Sequence, residues 1–204
     1  MSPEFAPLRE QDMDSDPLTQ FEAWFDAARE AGIEHPEEMA VASAGADGAP
    51  SVRMVLCKGF DRDGFVFFTN YDSRKGAELA ANPRAALLFY WSPLGRQVRI
   101  EGPVQRASRE RTEQYVRSRP RPSQLGALAS PQSQVIASRG WLEDRVEEMA
   151  DHYAGSELPV PDRWGGFVVE PERYEFWQHR EDRLHDRMLY TRAAVGWTIE
   201  RLAP

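Results

Sequence analysis

The feature that most constrains the fold is a succession of short β-forming runs separated by tight turn signals. Residues 37–60 contain two such runs joined by "GADG", and "DRDG" leads from them into the run "FVFFTN". The runs "RAALLFYW" and "RQVRIEGPVQRAS" follow, and three more cover 164–178, 183–192 and 196–202. Because few helices separate consecutive strands, a parallel sheet is disfavoured. The pattern predicts an antiparallel barrel of about seven strands, mainly β with helices packed outside.

Helical segments are predicted at four places between or before these runs. Asp16 is a suitable N-cap for the first segment, in which apolar residues recur at helical spacing. Ser73 begins the second segment, "SRKGAELAANP", and Ser108 begins the third, "SRERTEQYVRSRP". The fourth segment is "SRGWLEDRVEEMADHYAG". We expect residues 1–16 to form a flexible arm and residues 17–204 to form one domain.

Composition narrows the class of protein. Hydrophobic residues make up 41% of the chain, as in globular proteins, and no run of about 18 apolar residues suggests a membrane span. The acidic N-terminus lacks the apolar segment of a secretory signal. The single cysteine, Cys57, excludes an internal disulfide framework and a cysteine-based zinc cluster. We therefore expect a cytoplasmic protein without a membrane partner.

Charge is unevenly distributed along the chain. The net formal charge is −8, yet residues 94–124 carry eight arginines against three glutamates. A general nucleic-acid binder is usually basic overall, so no nucleic-acid partner is expected. A basic block within an acidic protein suits a small anionic ligand better, although solvated helix surface is the alternative interpretation.

Several motifs of well-defined enzyme classes are absent from the sequence. No GxGxxG follows a strand, and no GxxxxGK followed by Ser or Thr occurs, so dinucleotide-binding and P-loop sites lack support. No GxSxG or HExxH occurs, and the four histidines lack the spacing of metal ligands. We expect no metal site.

Cationic side chains stand instead at strand ends and at a helix start. Arg53 and Lys58 border the apolar strand "RMVLCK", and their spacing of five places them on opposite faces of a regular strand. Arg74 and Lys75 follow the cap Ser73, where cations oppose the helix dipole unless an anion such as phosphate binds there. Each feature alone is equally consistent with exposed surface.

A second candidate anion site lies in "YVRSRPRPS". Tyr115, Arg119 and Ser123 are four residues apart, but Pro120 and Pro122 interrupt the helix that would align them. We expect a turn on which the three side chains converge around one anion. A basic helix end is the alternative interpretation.

The stretch "RLHDR" places Arg183, His185 and Arg187 on one face if it forms a strand. Buried there, these groups would need hydrogen bonds or an anion; facing water, they would be ordinary charged surface, which the stretch alone favours. Four aromatic residues in neighbouring strands could stack on a flat heterocycle or fill the core: Tyr90, Trp91, Phe176 and Trp177.

Taken together, these stretches resemble the pyridoxine/pyridoxamine 5'-phosphate oxidase family. The resemblance runs from about residue 17 to residue 204 and rests on nine ordered motifs: "RMVLCK", "FFTNYDSRKG", "RQVRIEG", "YVRSRPRPSQLGA", "SPQSQVI", "WGGF", "EFWQ", "RLHDR" and "ERLAP". It implies an FMN-binding split β-barrel that works as a homodimer with active sites at the subunit interface. The implied reaction oxidises pyridoxamine or pyridoxine 5'-phosphate to pyridoxal 5'-phosphate, and dioxygen reoxidises the flavin to give hydrogen peroxide.

The resemblance also implies site residues, motif by motif. The FMN site would comprise Arg53, Met54, Val55, Leu56, Cys57, Lys58, Phe68, Thr69, Arg74, Lys75, Gln97, Gln132, Ser133, Trp177 and Arg187. The substrate phosphate would be held by Lys58, Tyr115, Arg119 and Ser123, with Arg183, Leu184 and His185 at the pyridine ring. Arg183 and His185 would be the catalytic residues, and His185 suits a binding role better than proton transfer.

Three departures from the family pattern are visible. The arm "APLREQDMDSDPL" lacks the Arg-x-x-Tyr element with which the family often closes over its substrate. His179 and Arg180, in "WQHRED", replace a glycine-containing stretch and add bulk and charge near the expected site mouth. We interpret Cys57 as a residue of the strand core and not as a redox thiol.

Two alternative functions stay open at this point. A relative on the same scaffold could oxidise another ring substrate, such as a phenazine precursor, which would not need all four phosphate-binding residues. A non-catalytic carrier or sensor of flavin or pyridoxal phosphate would bind its ligand without turnover, and the intact "RLHDR" argues against it.

Overall fold

A computed structural model describes residues 6–204, in which ten strands form one antiparallel sheet. The strands are β1 Glu38–Ala44, β2 Pro50–Leu56, β3 Phe60–Asp61, β4 Gly64–Asn70, β5 Arg84–Trp91, β6 Arg96–Arg106, β7 Trp164–Val169, β8 Arg173–Gln178, β9 Asp186–Arg192 and β10 Trp197–Arg201. The helices are α1 Pro17–Glu30, α2 Arg74–Ala81, α3 Arg109–Ser118, α4 Arg121–Ala129 and α5 Arg139–His152. The predicted antiparallel architecture is confirmed. Across the described residues the sheet has ten strands, where about seven were predicted. The predicted run 164–178 divides into β7 and β8, and β3, which has only two residues, was not predicted as a strand.

Long strand β6 is where the sheet splits. Its first half pairs with β8 and its last three residues pair with β7, which continues the sheet to β4. The change of partner occurs at Gly102, where a Cβ would lie 1.8 Å from the backbone oxygen of Glu170. Only glycine allows the 170–172 connection to cross so closely. On the far side, Lys58 N donates to Val66 O at 2.7 Å and joins the chain beyond β2 to β4, closing the barrel.

Helix α1 packs its apolar face onto the sheet. Asp16 Oδ1 accepts a hydrogen bond from Leu18 N at 3.0 Å, so the predicted cap is confirmed. Phe21 is fully buried and makes edge-on ring contacts with Phe65 and Phe89 at centroid distances of 4.9 and 5.0 Å. Such contacts add to the burial of the rings themselves, which makes α1 the main cover of this part of the core.

The proline-rich stretch after α3 differs from its prediction. Ser108 caps α3 as predicted, and Arg119 follows its end. A second helix, α4, then begins, with Pro120 at its N-cap and Pro122 in its first turn. Proline is tolerated there because the first N–H groups of a helix have no partner within the helix. Ser123 therefore lies on α4, and the expectation of a simple turn is wrong.

The prediction that 183–187 forms one strand is wrong for its first half. Asp182 and Arg183 adopt positive φ angles of 53° and 61°, and a single 3₁₀ turn spans Glu181–Arg183. Strand β9 begins only at Asp186, so Arg187 lies on the strand whereas Arg183 and His185 precede it. The left-handed backbone redirects the chain and removes the expected alternation of side chains.

The described part of the arm contacts the end of the sheet. Leu8 N donates to Asp186 Oδ2 at 3.0 Å, and Arg201 Nε contacts Glu10 Oε1 at 2.7 Å. The Tyr190 hydroxyl donates to Asp14 O at 2.7 Å. The prediction of a flexible arm also covers residues 1–5, which lie outside the described residues. No helix within 6–204 combines the length and apolar character needed to cross a membrane.

Candidate active site

The start of α2 carries a buried ammonium group. Lys75 is only 8% exposed, and its Nζ donates to Thr69 Oγ1 at 3.0 Å, Gln132 Oε1 at 3.2 Å and Ser73 Oγ at 3.4 Å. Ser73 is also the α2 cap, as predicted, and accepts from Gly76 N. Burial and the nearby charge of Arg53 lower the pKa of Lys75. All three hydrogen-bond acceptors of this buried cation are neutral.

A buried carboxylate lies beside this ammonium group. Glu78 Oε2 accepts from Ser43 Oγ at 2.6 Å, from Ser51 Oγ at 2.5 Å and from Arg53 Nη2 at 3.2 Å. Its Oε1 accepts from Arg74 Nε at 2.8 Å. Burial would raise the pKa of Glu78, but these four hydrogen bonds outweigh it and lower the pKa to about 2. The carboxylate is therefore ionised at any physiological pH.

We call this group the α2 cluster: Ser43, Ser51, Arg53, Thr69, Ser73, Arg74, Lys75, Glu78 and Gln132. Three cations and one carboxylate give it a net formal charge of plus two, at the N-terminus of a helix. A dianionic phosphate monoester matches both the charge and the helix dipole. The predicted conflict with the dipole is partly relieved for Arg74 by Glu78, one helical turn away. Lys75 forms no ion pair with a carboxylate of the described residues, and Glu78 acts on its charge only from a longer distance.

Residues 53–58, predicted to line the cofactor together, point in different directions. Arg53 faces the α2 cluster, and Lys58 lies exposed beyond the end of β2. Met54, 64% exposed, and Leu56 lie on the outer face of β2, whereas Val55 packs against the core. An alternating strand forces this separation.

Cys57 is part of the core. Its side chain is buried, and its thiol donates to Gly59 O at 3.4 Å. Burial raises the pKa of Cys57 to about 11, which keeps the thiol protonated and unreactive at neutral pH. The interpretation of Cys57 as a core residue is confirmed.

Three other predicted cofactor residues form one cross-strand row. Gln97 on β6 pairs in register with Trp177 on β8, and Trp177 pairs with Arg187 on β9. Arg187 Nε contacts Glu175 Oε1 at 2.8 Å, and its Nη1 donates to Ala203 O at 2.8 Å. The structure therefore brings these three distant parts of the sequence together on one face.

Of the four aromatic residues considered for stacking, two are excluded. Phe176 and Trp91 are buried in the core. Trp177 is half-buried, and Tyr90, 58% exposed, pairs in register with Gln97. Only Tyr90 and Trp177 of the four can therefore face a ligand.

The row of Gln97, Trp177 and Arg187 faces away from Arg53. The strand neighbours Val98, Phe176 and Met188 are buried, so the row itself occupies the outer face of the sheet. Arg53 pairs with buried Val41, and its cross-strand row continues through buried Leu87 on the inner face. One copy of the chain therefore presents the two groups on opposite faces of the sheet.

The segment 179–185 continues from the outer face. The His185 ring lies 4.6 Å from the Trp177 ring and 5.2 Å from the His179 ring, measured between centroids. His185 Nδ1 accepts from Arg180 N at 3.1 Å. Burial, and the neighbouring His179 and Arg183, lower the pKa of His185, which favours the neutral imidazole. Arg183 and Leu184 are exposed beside it, so the predicted pyridine-binding residues are grouped.

Of the predicted phosphate-binding residues, Tyr115, Arg119 and Ser123 lie on or between α3 and α4, and Arg119 and Tyr115 are in contact. The Tyr115 ring stacks on Phe68 at 3.9 Å with an interplanar angle of 11°. The Arg119 guanidinium lies 5.9 Å from the Tyr115 ring centre and 5.3 Å from that of Trp164. Its Nη1 is buried and has no hydrogen-bond partner within residues 6–204. Ser123 is half-buried in the first turn of α4. A buried donor without a partner, such as Arg119 Nη1, suits an anionic ligand.

Residues 132–133 divide between two environments. Gln132 reaches the α2 cluster through Thr69 Oγ1, which donates to its Oε1 at 3.0 Å. Ser133 is exposed, with a positive φ of 69°. Gln132 thus lies beside Thr69 and Lys75, while Ser133 makes no such contact in the described chain.

Sequence reasoning missed Glu78, Ser43, Ser51 and Trp164. The spacing of four between Arg74 and Glu78 on a helix is a signal for their ion pair. Ser43 and Ser51 are direct cross-strand partners in the β1–β2 hairpin, so their proximity follows from the "GADG" turn. No comparable local signal brings Trp164 to Arg119, because 44 residues separate them in the sequence.

Comparison with known proteins finds two family models that match the chain. The model described as "Pyridoxamine 5'-phosphate oxidase" matches residues 25–153. The model described as "Pyridoxine 5'-phosphate oxidase C-terminal dimerisation region" matches residues 164–204. Together they cover most of the chain, including the α2 cluster and the outer-face row.

Curated relatives agree with these matches. A pyridoxine/pyridoxamine 5'-phosphate oxidase of Burkholderia vietnamiensis is 54% identical over 202 residues, covering 98% of this chain and 94% of that protein. One of Salinibacter ruber is 52% identical with the same coverage. The chloroplastic pyridoxine/pyridoxamine 5'-phosphate oxidase 1 of Arabidopsis thaliana is 51% identical over 209 residues, covering 100% of this chain but 39% of that protein.

Solved structures share the fold. PhzG from Burkholderia lata 383, in complex with tetrahydrophenazine-1-carboxylic acid, matches with a TM-score of 0.91 and 31% identity, covering 99% of this chain and 100% of that one. An FMN-binding protein of Nostoc punctiforme related to pyridoxamine 5'-phosphate oxidase matches with a TM-score of 0.70 and 18% identity, covering 90% and 97%. The second similarity shows the fold alone.

Proposed function

Because the chain belongs to the pyridoxamine 5'-phosphate oxidase family, we propose that it oxidises pyridoxamine or pyridoxine 5'-phosphate to pyridoxal 5'-phosphate, with FMN as cofactor and dioxygen as acceptor. Hydrogen peroxide is the second product, and the amine substrate also consumes water and releases ammonia. The observation that carries the proposal is the α2 cluster, where a buried Lys75 has only neutral acceptors.

FMN fits the charges of the α2 cluster. Lys75 is buried without a carboxylate partner among the described residues, so the phosphate of FMN would supply the missing countercharge. Arg74 would add charge-assisted hydrogen bonds, Arg53 would add positive charge from its fixed position, and Thr69 would add a neutral hydroxyl group. When bound, FMN would supply an acceptor for the hydride of the substrate carbon and a carrier of its electrons to dioxygen.

We propose that a homodimer completes the site. The α2 cluster and the Gln97–Trp177–Arg187 row lie on opposite faces of the sheet in one copy, so a cofactor touching both requires the row of a second copy. The outer face of β2 supports this arrangement, because Val52, Met54 and Leu56 expose apolar side chains there. The dimerisation-region match over 164–204 contains Trp177 and Arg187.

We assign the substrate phosphate to Tyr115, Arg119 and Ser123, which we call the α3–α4 group. Arg119 holds a buried Nη1 without a partner in the described chain, and Tyr115 and Ser123 add hydroxyl groups. Lys58 would add a mobile charge from the exposed end of β2. Arg183 would lie at the reacting carbon, where its cation would orient the amine or alcohol and favour its unprotonated form, from which hydride leaves more easily. His185, neutral beside Trp177, would bind the pyridine ring.

The proposal is tested with purified protein and FMN. We expect a yellow protein that forms pyridoxal 5'-phosphate and hydrogen peroxide from pyridoxamine 5'-phosphate. Unphosphorylated pyridoxamine is the matched control and should be a poor substrate, because it leaves the α3–α4 group without its anion. A colourless protein that takes up no FMN would contradict the proposal.

A related oxidase acting on another ring is the second candidate. It is favoured by the similarity to PhzG, whose solved structure holds tetrahydrophenazine-1-carboxylic acid. A carboxylate carries one negative charge, whereas the α3–α4 group offers Arg119 together with two hydroxyl groups and Lys58. Comparing turnover of pyridoxamine 5'-phosphate with that of a carboxylated tricyclic substrate decides between them, and the first proposal requires the phosphate ester to be preferred.

A further inference from the structure

Glu78 is the one carboxylate of the α2 cluster, and its two oxygens have separate partners. Oε1 accepts from Arg74 Nε at 2.8 Å. Oε2 accepts from both serine hydroxyls of the β1–β2 hairpin, Ser43 and Ser51, and from Arg53 Nη2. The side chain therefore links helix α2 to β1 and β2, in addition to balancing charge.

The contact with Arg74 leaves the anion-binding end of that side chain available. Only Nε of the guanidinium is used, and neither Nη group donates to any residue of the described chain. The Arg74 side chain is 64% exposed and would otherwise sample many rotamers. An anchored Nε fixes the plane of the guanidinium while four N–H groups stay available for an anion.

Arg53 is held more completely. Its Nη1 donates to Val41 O at 3.2 Å and to Ser43 Oγ at 2.6 Å, and its Nη2 donates to Ser51 and Glu78. Its charge is thus fixed between two strands, and Glu78 contributes one of the four contacts directly. Through Ser43 and Ser51, Glu78 also orders two of the other three.

We propose that Glu78 is a positioning residue for cofactor binding: it orients Arg74 toward the phosphate of FMN and fixes the charge of Arg53 in place, although its own charge repels that phosphate. The inference rests on the proposed function. A residue that served only as a countercharge would behave in the opposite way, because removing its negative charge would strengthen anion binding. The sign of one affinity change therefore separates the two roles.

Glu78→Gln is the decisive variant because it keeps the size of the side chain and removes the charge. The amide presents an NH₂ group to guanidinium or hydroxyl donors, so at least one of the four contacts is lost. We expect FMN affinity to fall about 10-fold, the size of one lost charge-assisted hydrogen bond, although the net charge of the cluster rises. FMN titration of the apoprotein, followed by quenching of flavin fluorescence, measures this change.

Two controls make the result specific. Riboflavin lacks the phosphate, so its affinity should be the same in wild type and Glu78→Gln. Glu172→Gln removes another paired carboxylate, bonded to Arg84 outside the α2 cluster, and should leave FMN affinity unchanged. Circular dichroism of each variant checks folding, and Ser51→Ala, which removes one donor to Glu78, replaces Glu78→Gln if that variant does not fold. Ser51→Ala should weaken FMN binding in the same direction.

A double-mutant cycle tests the route through Arg74. If Glu78 acts by orienting Arg74, the loss caused by Glu78→Gln shrinks in an Arg74→Gln background. Unchanged or tighter FMN binding by Glu78→Gln would overturn the inference while leaving the proposed function intact. A wild-type protein that does not bind FMN would overturn both.

Discussion

The α2 cluster and the 179–185 segment are expected to serve one active site, the first by holding the cofactor and the second by contacting the substrate, and they are built differently. In the α2 cluster, Lys75 and Glu78 are buried, and the partners of the charged groups come from three strands, helix α2 with its cap, and the loop that carries Gln132. In the 179–185 segment, Arg183 is exposed on a turn with left-handed backbone. One region is organised before any ligand arrives, and the other is presented at the surface.

This contrast shows which part of the site a single copy of the chain can organise by itself. A buried cation must be held by fixed dipoles, so the α2 cluster, where we expect the cofactor to bind, is already ordered before the cofactor binds. A substrate must enter and a product must leave, which an exposed turn allows. We therefore expect variants of the α2 cluster to affect cofactor retention and variants of the 179–185 segment to affect turnover.

The largest effect is expected from Arg183→Ala. Turnover of pyridoxamine 5'-phosphate should fall about 100-fold, because a cation near the reacting carbon is lost. FMN affinity should stay the same, since Arg183 lies outside the α2 cluster. Steady-state kinetics and FMN titration measure the two quantities, and Arg62→Ala, exposed in the β3–β4 turn, is the control. Equal losses of turnover and FMN affinity would show that the 179–185 segment does not differ in role from the α2 cluster.

Lys75→Met should weaken FMN binding by about 10-fold to 100-fold, because it removes a charge-assisted contact while keeping the apolar stem. Turnover should recover when FMN is saturating. Fluorescence titration gives the affinity, and assays over a range of FMN concentrations give the recovery. A turnover defect that persists at saturating FMN would show that the α2 cluster does more than retain the cofactor.

Arg74→Ala should act in the same direction as Lys75→Met but less strongly. Its side chain is 64% exposed, so solvent screens its charge, and a loss of roughly 3-fold to 10-fold in FMN affinity is expected. The loss of FMN affinity caused by Arg74→Ala should be smaller at high salt than at low salt, whereas the loss caused by Lys75→Met should not depend on salt. Titrations at low and high ionic strength compare the two, and an equal salt dependence would contradict the difference in burial.

The smallest effect concerns pH. The pKa of Glu78 is lowered from 4.5 to about 2 in the folded protein, so its contribution to stability is fully present above pH 4.5 and is lost as pH falls through about 2. The difference in free energy of unfolding between wild type and Glu78→Gln should be constant from pH 5 upward and should shrink in acid. Urea unfolding at several pH values measures it, and a difference that changed near neutral pH would point to another group.

Most of the fold was predictable because turn and cap residues act locally. "GADG" and "DRDG" favour hairpin turns and form them here, and Asp16, Ser73 and Ser108 cap helices through their own side chains. The turn at 181–183 was not predictable, since Asp182 and Arg183 adopt left-handed angles without a glycine. Helix α4 was missed because Pro122 was taken as a helix breaker, although it lies in the first turn.

The candidate site was predictable to a similar degree. Arg74 and Lys75 stood out because cations at a helix N-terminus need an anion. Glu78 did not, since its burial depends on Ser43 and Ser51 approaching from a hairpin. Nor could the residue pattern alone show that the Gln97–Trp177–Arg187 row faces away from Arg53, because this depends on the register of six strands.

The most direct test joins both regions in one experiment. FMN-loaded protein is mixed with pyridoxamine 5'-phosphate in the absence of dioxygen, and the flavin absorbance is followed in wild type and in Arg183→Ala. We predict that the wild-type flavin bleaches rapidly, while the variant keeps its flavin and bleaches far more slowly. Flavin that stays bound to the wild-type protein and is never reduced by the phosphorylated vitamer would contradict the account.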